Sequence, residues 1–137
     1  LERLLQAMHD SRVDFTFFFR QLSQIKKNSQ PEQIHLRDLF VDRNAFDQWF
    51  KDYLLRLNDE PLDDGARELK MNSINPKYVL RNHLAQSAIE AAKQGDFSEV
   101  QTLLKILSTP YDEQPQYHSY SEPPPADLEK IAVSCSS

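Results

Sequence analysis

The 137 residues suffice for one core and a loosely attached subdomain, and 39% hydrophobic with 27% charged residues is the balance of a soluble globular protein. The net charge of −5 is uneven: residues 111–137 carry five acids against Lys130, for −4, while the rest is near neutral at −1. This distribution excludes the basic face that nucleic acid requires, and no apolar run approaches the ~20 residues of a membrane span. No signal-peptide pattern opens the chain, and a single cysteine excludes an internal disulfide, so the expected compartment is the reducing cytoplasm.

The pattern is all-α. Leu1, Leu4, Leu5 and Met8 share one stripe of an opening helix, and a chain that starts inside an amphipathic helix without Met reads as cut from something longer. Residues 12–25 predict a second helix, apolar around most of its circumference. Phe15, Phe18, Phe19 and Leu22 form its broad face, with Val13 and Phe17 on nearly the opposite side. Two readings stay open there: a central core helix, or Val13 and Phe17 facing a neighbouring domain absent from this chain.

Ile34–Phe40 predicts a short helix or an extended connector. Asp42 is the expected N-cap of a helix over 43–58, whose stripe of Phe46, Trp49, Phe50, Tyr53, Leu54 and Leu57 is core rather than a cofactor box. Pro61 ends it, and a short helix begins near Asp63. Asn75-Pro76 opens the next predicted helix, with Pro76 in its first turn, running to Gln94 and closed by a left-handed Gly95. Asp96 or Ser98 then caps a last helix containing Phe97, Val100, Leu103, Leu104 and Leu107, antiparallel to the one before.

From Pro110 the character changes. The domain reading is therefore a helical region over 1–110 and an acidic tail over 111–137, an irregular helical bundle followed by an extended, partly disordered tail. Tyr111, Tyr117 and Tyr120 suggest a strap draped over a surface, and Pro123-Pro124-Pro125 cannot be helical.

No complete catalytic site emerges. Two glycines leave no phosphate-binding loop, and His9, His35, His83 and His118 show no metal-ligand spacing. The expected catalytic, cofactor and metal residues are none. Two features stand out. On the predicted helix Arg81 sits in the middle of an apolar arc of Tyr78, Leu80, Leu84, Ala85, Ala88 and Ala92. A guanidinium there must be paired, either by an internal salt bridge or carbonyl clamp, or, together with Asn82, by a missing part of the protein. The other is Cys135, in Ser134-Cys135-Ser136-Ser137. Its sole close cation is Lys130, and the terminal carboxylate opposes a thiolate, so local chemistry reads it as inert. It sits on a long arm, since twenty-seven extended residues reach up to ~90 Å.

Taken together, Asn75-Pro76-Lys77-Tyr78-Val79-Leu80-Arg81-Asn82-His83, Gly95-Asp96-Phe97, Pro110-Tyr111-Asp112-Glu113-Gln114-Pro115 and the final Ser-Cys-Ser-Ser resemble the C-terminus of the selenoprotein O family of protein adenylyltransferases. The resemblance implies a kinase-like fold that binds ATP in a flipped orientation and, with Mg²⁺, transfers AMP to Ser, Thr or Tyr of other proteins. It makes this chain the helical region packed on the kinase-like C-lobe, with ATP and Mg²⁺ held by the larger N-terminal part. It also gives Cys135 a redox-regulatory role, in the place where animal members carry selenocysteine. The implied partners are the N-terminal kinase-like part and protein substrates. The rival reading is a non-enzymatic helical interaction module that docks through the 12–25 helix and the tyrosine-rich strap.

Overall fold

The computed structural model describes residues 1–31 and 34–125. Among these the regular structure is helical, in two compact units, Leu1–Asn75 and Pro76–Ser137. No helix among the described residues is long and apolar enough to cross a membrane.

The first unit holds α1 (Glu2–Ser11), α2 (Phe15–Leu22), a 3₁₀ turn (His35–Leu39), α3 (Arg43–Asp59) and α4 (Asp64–Ile74). Three aspartates start its helices. Asp14, Asp42 and Asp63 each accept a bond from the backbone N–H three residues on, at 2.8, 3.1 and 2.7 Å. Each satisfies one of the donors that a helix start leaves open. The helix expected over 12–25 is shorter than that. Arg12 is left-handed (φ 55°) and closes α1, with its N–H and that of Val13 bonded to His9 O and Met8 O. Asp14 then begins a new helix as its N-cap.

That break changes which aromatic side chain faces out. Phe18 and Leu22 are buried, and Val13 and Phe17 are half-buried, whereas Phe15 is 59% exposed. Phe15 is the first residue of α2, so its side chain leans over the N-terminal edge of the helix, where no preceding turn covers it. The α3 stripe falls as its spacing predicts. Phe46 and Phe50 are fully buried and stacked at 5.4 Å, and Trp49 stacks on Tyr53 at 5.0 Å. Phe18 and Phe40 close the cluster edge-on at 5.7 Å, with Leu4 and Met8 of α1 packed into it.

Two buried arginines stitch this unit together. Arg20 donates to Asn72 O (3.1 Å) and Asn75 O (2.8 Å), placing its charge at the negative end of α4. Arg67 donates to Ile25 O and to Asp64 Oδ1, both at 2.6 Å. Nearer the surface, Arg37 grips Asp47 with two bonds of 2.8 and 3.0 Å, and the Arg37 hydrogen bond holds the Asp47 carboxyl below its ordinary range.

A folded-state pKa that is lowered gives stability that is present above the unfolded carboxylate value and lost as pH falls through the folded one. Asp47→Asn is therefore expected to lower stability at pH 7 by up to about 1 kcal/mol, since both side chains are about a third exposed. Urea midpoints should show this gap at pH 7 and narrow it at an acid pH below the lowered folded-state pKa, where Asp47 is protonated in both states. A gap equal at both pH values would show that the carboxylate charge contributes nothing.

In the second unit α5 (Asn82–Lys93) and α6 (Ser98–Ser108) pack as a hairpin, followed by a 3₁₀ segment (Pro115–Ser121) kinked at Tyr117. Gly95 has φ +85°, and its N–H and that of Asp96 bond Ala92 O and Ala91 O, the paired bonds of a glycine-closed helix. Asp96 Oδ1 accepts from both Ser98 N and Ser98 Oγ, and these bonds lower its pKa. On α6 the buried stripe is Leu103 and Ile106, while Leu104 and the preceding Phe97 are 67% and 56% exposed.

Candidate functional site

Two of the segments that carry the family resemblance, around residues 77–78 and 110–114, meet within the second unit. Residues 76–81 do not continue α5 toward its expected start at Pro76, because their backbone donors are used elsewhere. Lys77 N–H and Tyr78 N–H both bond Pro110 O, at 2.9 and 3.2 Å. The helix begins only at Asn82, after an extended Arg81 (φ −79°, ψ 153°). The stretch from Pro76 to Arg81 lies against the turn that follows α6.

The side chains then lock that turn. Lys77 Nζ donates to Glu113 O (2.7 Å) and Glu113 Oε2 (3.0 Å), with only 8% of its side chain exposed. The Tyr78 hydroxyl, on a ring 1% exposed, reaches Glu113 O (2.7 Å) and Gln114 O (2.9 Å). Gln114 is itself left-handed (φ 42°), and its Nε2 donates to Ile106 O and Thr109 O, carbonyls at the end of α6 that also accept the N–H groups of Thr109 and Asp112. The clamp joins Asn75-Pro76-Lys77-Tyr78 to Pro110-Tyr111-Asp112-Glu113-Gln114, two runs that sequence reading singled out separately.

Beyond the clamp the chain folds back along α6. Tyr117 lies under Lys105 Nζ at 5.6 Å, and the Tyr120 hydroxyl donates to the Glu99 carboxylate at 3.0 and 3.1 Å. Burial and this bond raise the Tyr120 pKa. Tyr117 and Tyr120 thus lie on a surface, as the strap reading expects, but over Pro115–Ser121 the chain is wound in 3₁₀ turns rather than extended.

Arg81 is buried, at 9% exposure, but not for the reason its helical position suggested: it precedes α5, so the apolar arc does not surround it. Asn82, the first residue of α5, is exposed. His83 is half-buried. Cys135 lies outside the described residues. Arg20, Arg67 and Lys77 are the buried cations that sequence reading missed. Phe19 beside Arg20 and Tyr78 beside Lys77 are local hints of burial, whereas Arg67, between Ala66 and Glu68, has none.

Among the described residues no three His, Cys, Asp or Glu side chains come together as metal ligands. An apolar groove of about 400 Å³ in the first unit is lined by Phe17, Ile25, Ile34, Leu36 and Leu39 with polar residues at its edge, and it gathers no acid–base pair.

Comparison with known proteins gives a consistent result. The family model described as protein adenylyltransferase SelO matches residues 1–108. The chain is similar to the protein nucleotidyltransferase YdiU of Burkholderia multivorans and that of Burkholderia lata, each 52% identical over 135 residues, and to that of Paraburkholderia xenovorans at 49%. In each case the match covers 98% of this chain and 26% of the relative, so the chain spans about a quarter of the length of these curated relatives. The chain belongs to the SelO family of protein adenylyltransferases.

Proposed function

We propose that this chain is the C-terminal helical part of an enzyme that transfers AMP from ATP to Ser, Thr or Tyr hydroxyls of proteins, in the cytoplasm. The observation that carries this reading is the family match over residues 1–108, together with relatives, named as nucleotidyltransferases, about four times as long. The described residues offer no ligand cluster for Mg²⁺, so no role in holding Mg²⁺ or ATP is assigned to them. In this reading both are bound by the kinase-like remainder of the protein, which also meets the protein substrates. The two units here scaffold that remainder.

Cys135 supplies a redox handle in the same reading. Its thiol and a cysteine thiol of the kinase-like part join as a disulfide, losing two electrons and two protons to a small-molecule disulfide that leaves as two thiols. The exposed Phe15 and the groove at Phe17 also suit an interaction module, and the test separates the two readings.

With radiolabelled ATP and Mg²⁺, the full-length protein is expected to label proteins and this 137-residue chain alone to label none. Transfer by the chain alone would sink the assignment of catalysis elsewhere, and an inactive full-length protein would favour the interaction module. In the full-length protein Cys135→Ser should abolish the oxidised gel shift. A shift that persists makes the cysteine inert.

A further inference from the structure

We infer that the face of the α5–α6 hairpin carrying Ile89, Phe97 and Leu104 is the docking surface for the N-terminal remainder of the same protein, the part that this structure does not contain. The inference rests on the reading of this chain as about a quarter of a longer enzyme, and it adds the surface at which that quarter is held.

The face follows from helix geometry. Ala88 on α5 and Leu103 on α6 are buried and mark the inner sides of the packed pair. Ile89 follows Ala88 by about 100°, and Leu104 follows Leu103 by the same step. The two helices run antiparallel, so that step leads to the same side of the hairpin in both. Phe97, seven residues before Leu104, shares its side, because seven residues make two turns to within about 20°. Ala92 and Val100 lie next to them, both half-buried. Among the described residues of the two helices, no Asp, Glu, Lys or Arg falls in this sector, and Lys93 stands at its edge. The Pro115–Ser121 segment takes another side. Its Tyr117 and Tyr120 reach Lys105 and Glu99, which stand at least about 100° round α6 from Leu104.

The size of the face selects its occupant. Ile89 is 50%, Phe97 56% and Leu104 67% exposed. At about 200 Å² for a large apolar side chain, the three leave roughly 350 Å² open to water. That is the size of a functional patch on a monomer, and well below the ~800 Å² per partner of a stable complex between separate molecules. This face alone therefore holds a second copy of the chain too weakly. A segment of the same polypeptide escapes that requirement, since the covalent link supplies a high effective concentration and little translational freedom is lost on docking. The relatives carry such a segment, because the match covers only 26% of their length. The chemistry asked of it is an apolar, uncharged counter-surface.

The test uses the full-length protein, with a photoreactive p-benzoylphenylalanine at position 104 in one variant and at position 89 in another. Both positions are exposed, so the added ring needs no room in the core of the hairpin. A third variant carries it at position 90, where Glu90 is exposed one step further round α5. After irradiation, digestion and mass spectrometry locate the joined peptides. Hydroxyl-radical oxidation of the unsubstituted protein is the second measurement, and it holds even where the bulky ring itself disturbs docking.

Positions 104 and 89 are expected to join peptides that precede Leu1, and position 90 to do so far less. Ile89, Phe97 and Leu104 should oxidise at least about fivefold more slowly in the native protein than in urea, as side chains in an interface core do. Cross-links to residues 1–75 or 122–137 of this chain, or to a second copy, would name a different occupant and overturn the proposal. Oxidation of the three side chains at the rate their 50–67% exposure predicts would overturn it as well. Neither readout depends on catalysis. A full-length protein that docks this way but transfers no AMP keeps the surface and loses the enzymatic reading, and the reverse result removes the surface alone.

Discussion

Tyr78→Ala is expected to destabilise the second unit by about 3–5 kcal/mol, the range for emptying a buried aromatic site. The ring is 1% exposed, so the substitution opens a cavity, and it also takes the hydroxyl away from Gln114 O and leaves Glu113 O to Lys77 Nζ alone. Tyr78→Phe separates the two contributions. It keeps the ring and removes only the hydroxyl, and should cost about 1–3 kcal/mol, the penalty for leaving a buried polar group unsatisfied. Urea denaturation gives the totals, and hydrogen exchange locates the damage. Amides of residues 110–121 should lose protection in both variants, while those of α3 in the first unit keep theirs. If Tyr78→Ala costs less than about 1 kcal/mol, the clamp is not what holds the turn after α6.

The clamp also marks where sequence reading stops. Signals that act within a few residues were legible. Asp42, Asp63 and Gly95 sit where their chemistry predicts, and the Phe46–Phe50–Leu57 stripe is buried as its spacing requires. The start of α5 was not legible. Pro76 is acceptable in a first helical turn, but the N–H groups of Lys77 and Tyr78 bond Pro110 O, more than thirty residues away. No local pattern encodes that competition. On α6, Leu104 and Ile106 lie on nearly opposite sides of the helix, and it is Ile106 that is covered and Leu104 that is exposed. Of the candidate site residues, Arg81 was read as buried from a helical wheel that does not apply to it. Cys135 was singled out by the family motif, its local chemistry having read as inert.

The two buried arginines of the first unit look alike in burial and should respond differently to substitution. Arg20→Met is expected to cost about 2–4 kcal/mol, because Asn72 O and Asn75 O lose their donor and the end of α4 loses its compensating charge. Arg67 is 4% exposed, yet its Nε and Nη1 are buried with no hydrogen-bond partner, and its ion-pair partner Asp64 keeps access to water. Arg67→Met therefore removes two unsatisfied donors as well as one ion pair and the single bond to Ile25 O, and the freed Asp64 carboxylate is hydrated rather than stranded. Its cost should be about 1 kcal/mol or less, since an apolar side chain of similar volume often matches a buried ion pair in stability. Parallel urea titrations of the two variants check this directly. Equal losses would mean that burial of the charge, rather than the bonds each guanidinium makes, sets the contribution. A larger loss at Arg67 would mean that its link between the Ile25 loop and the start of α4 is the stronger of the two.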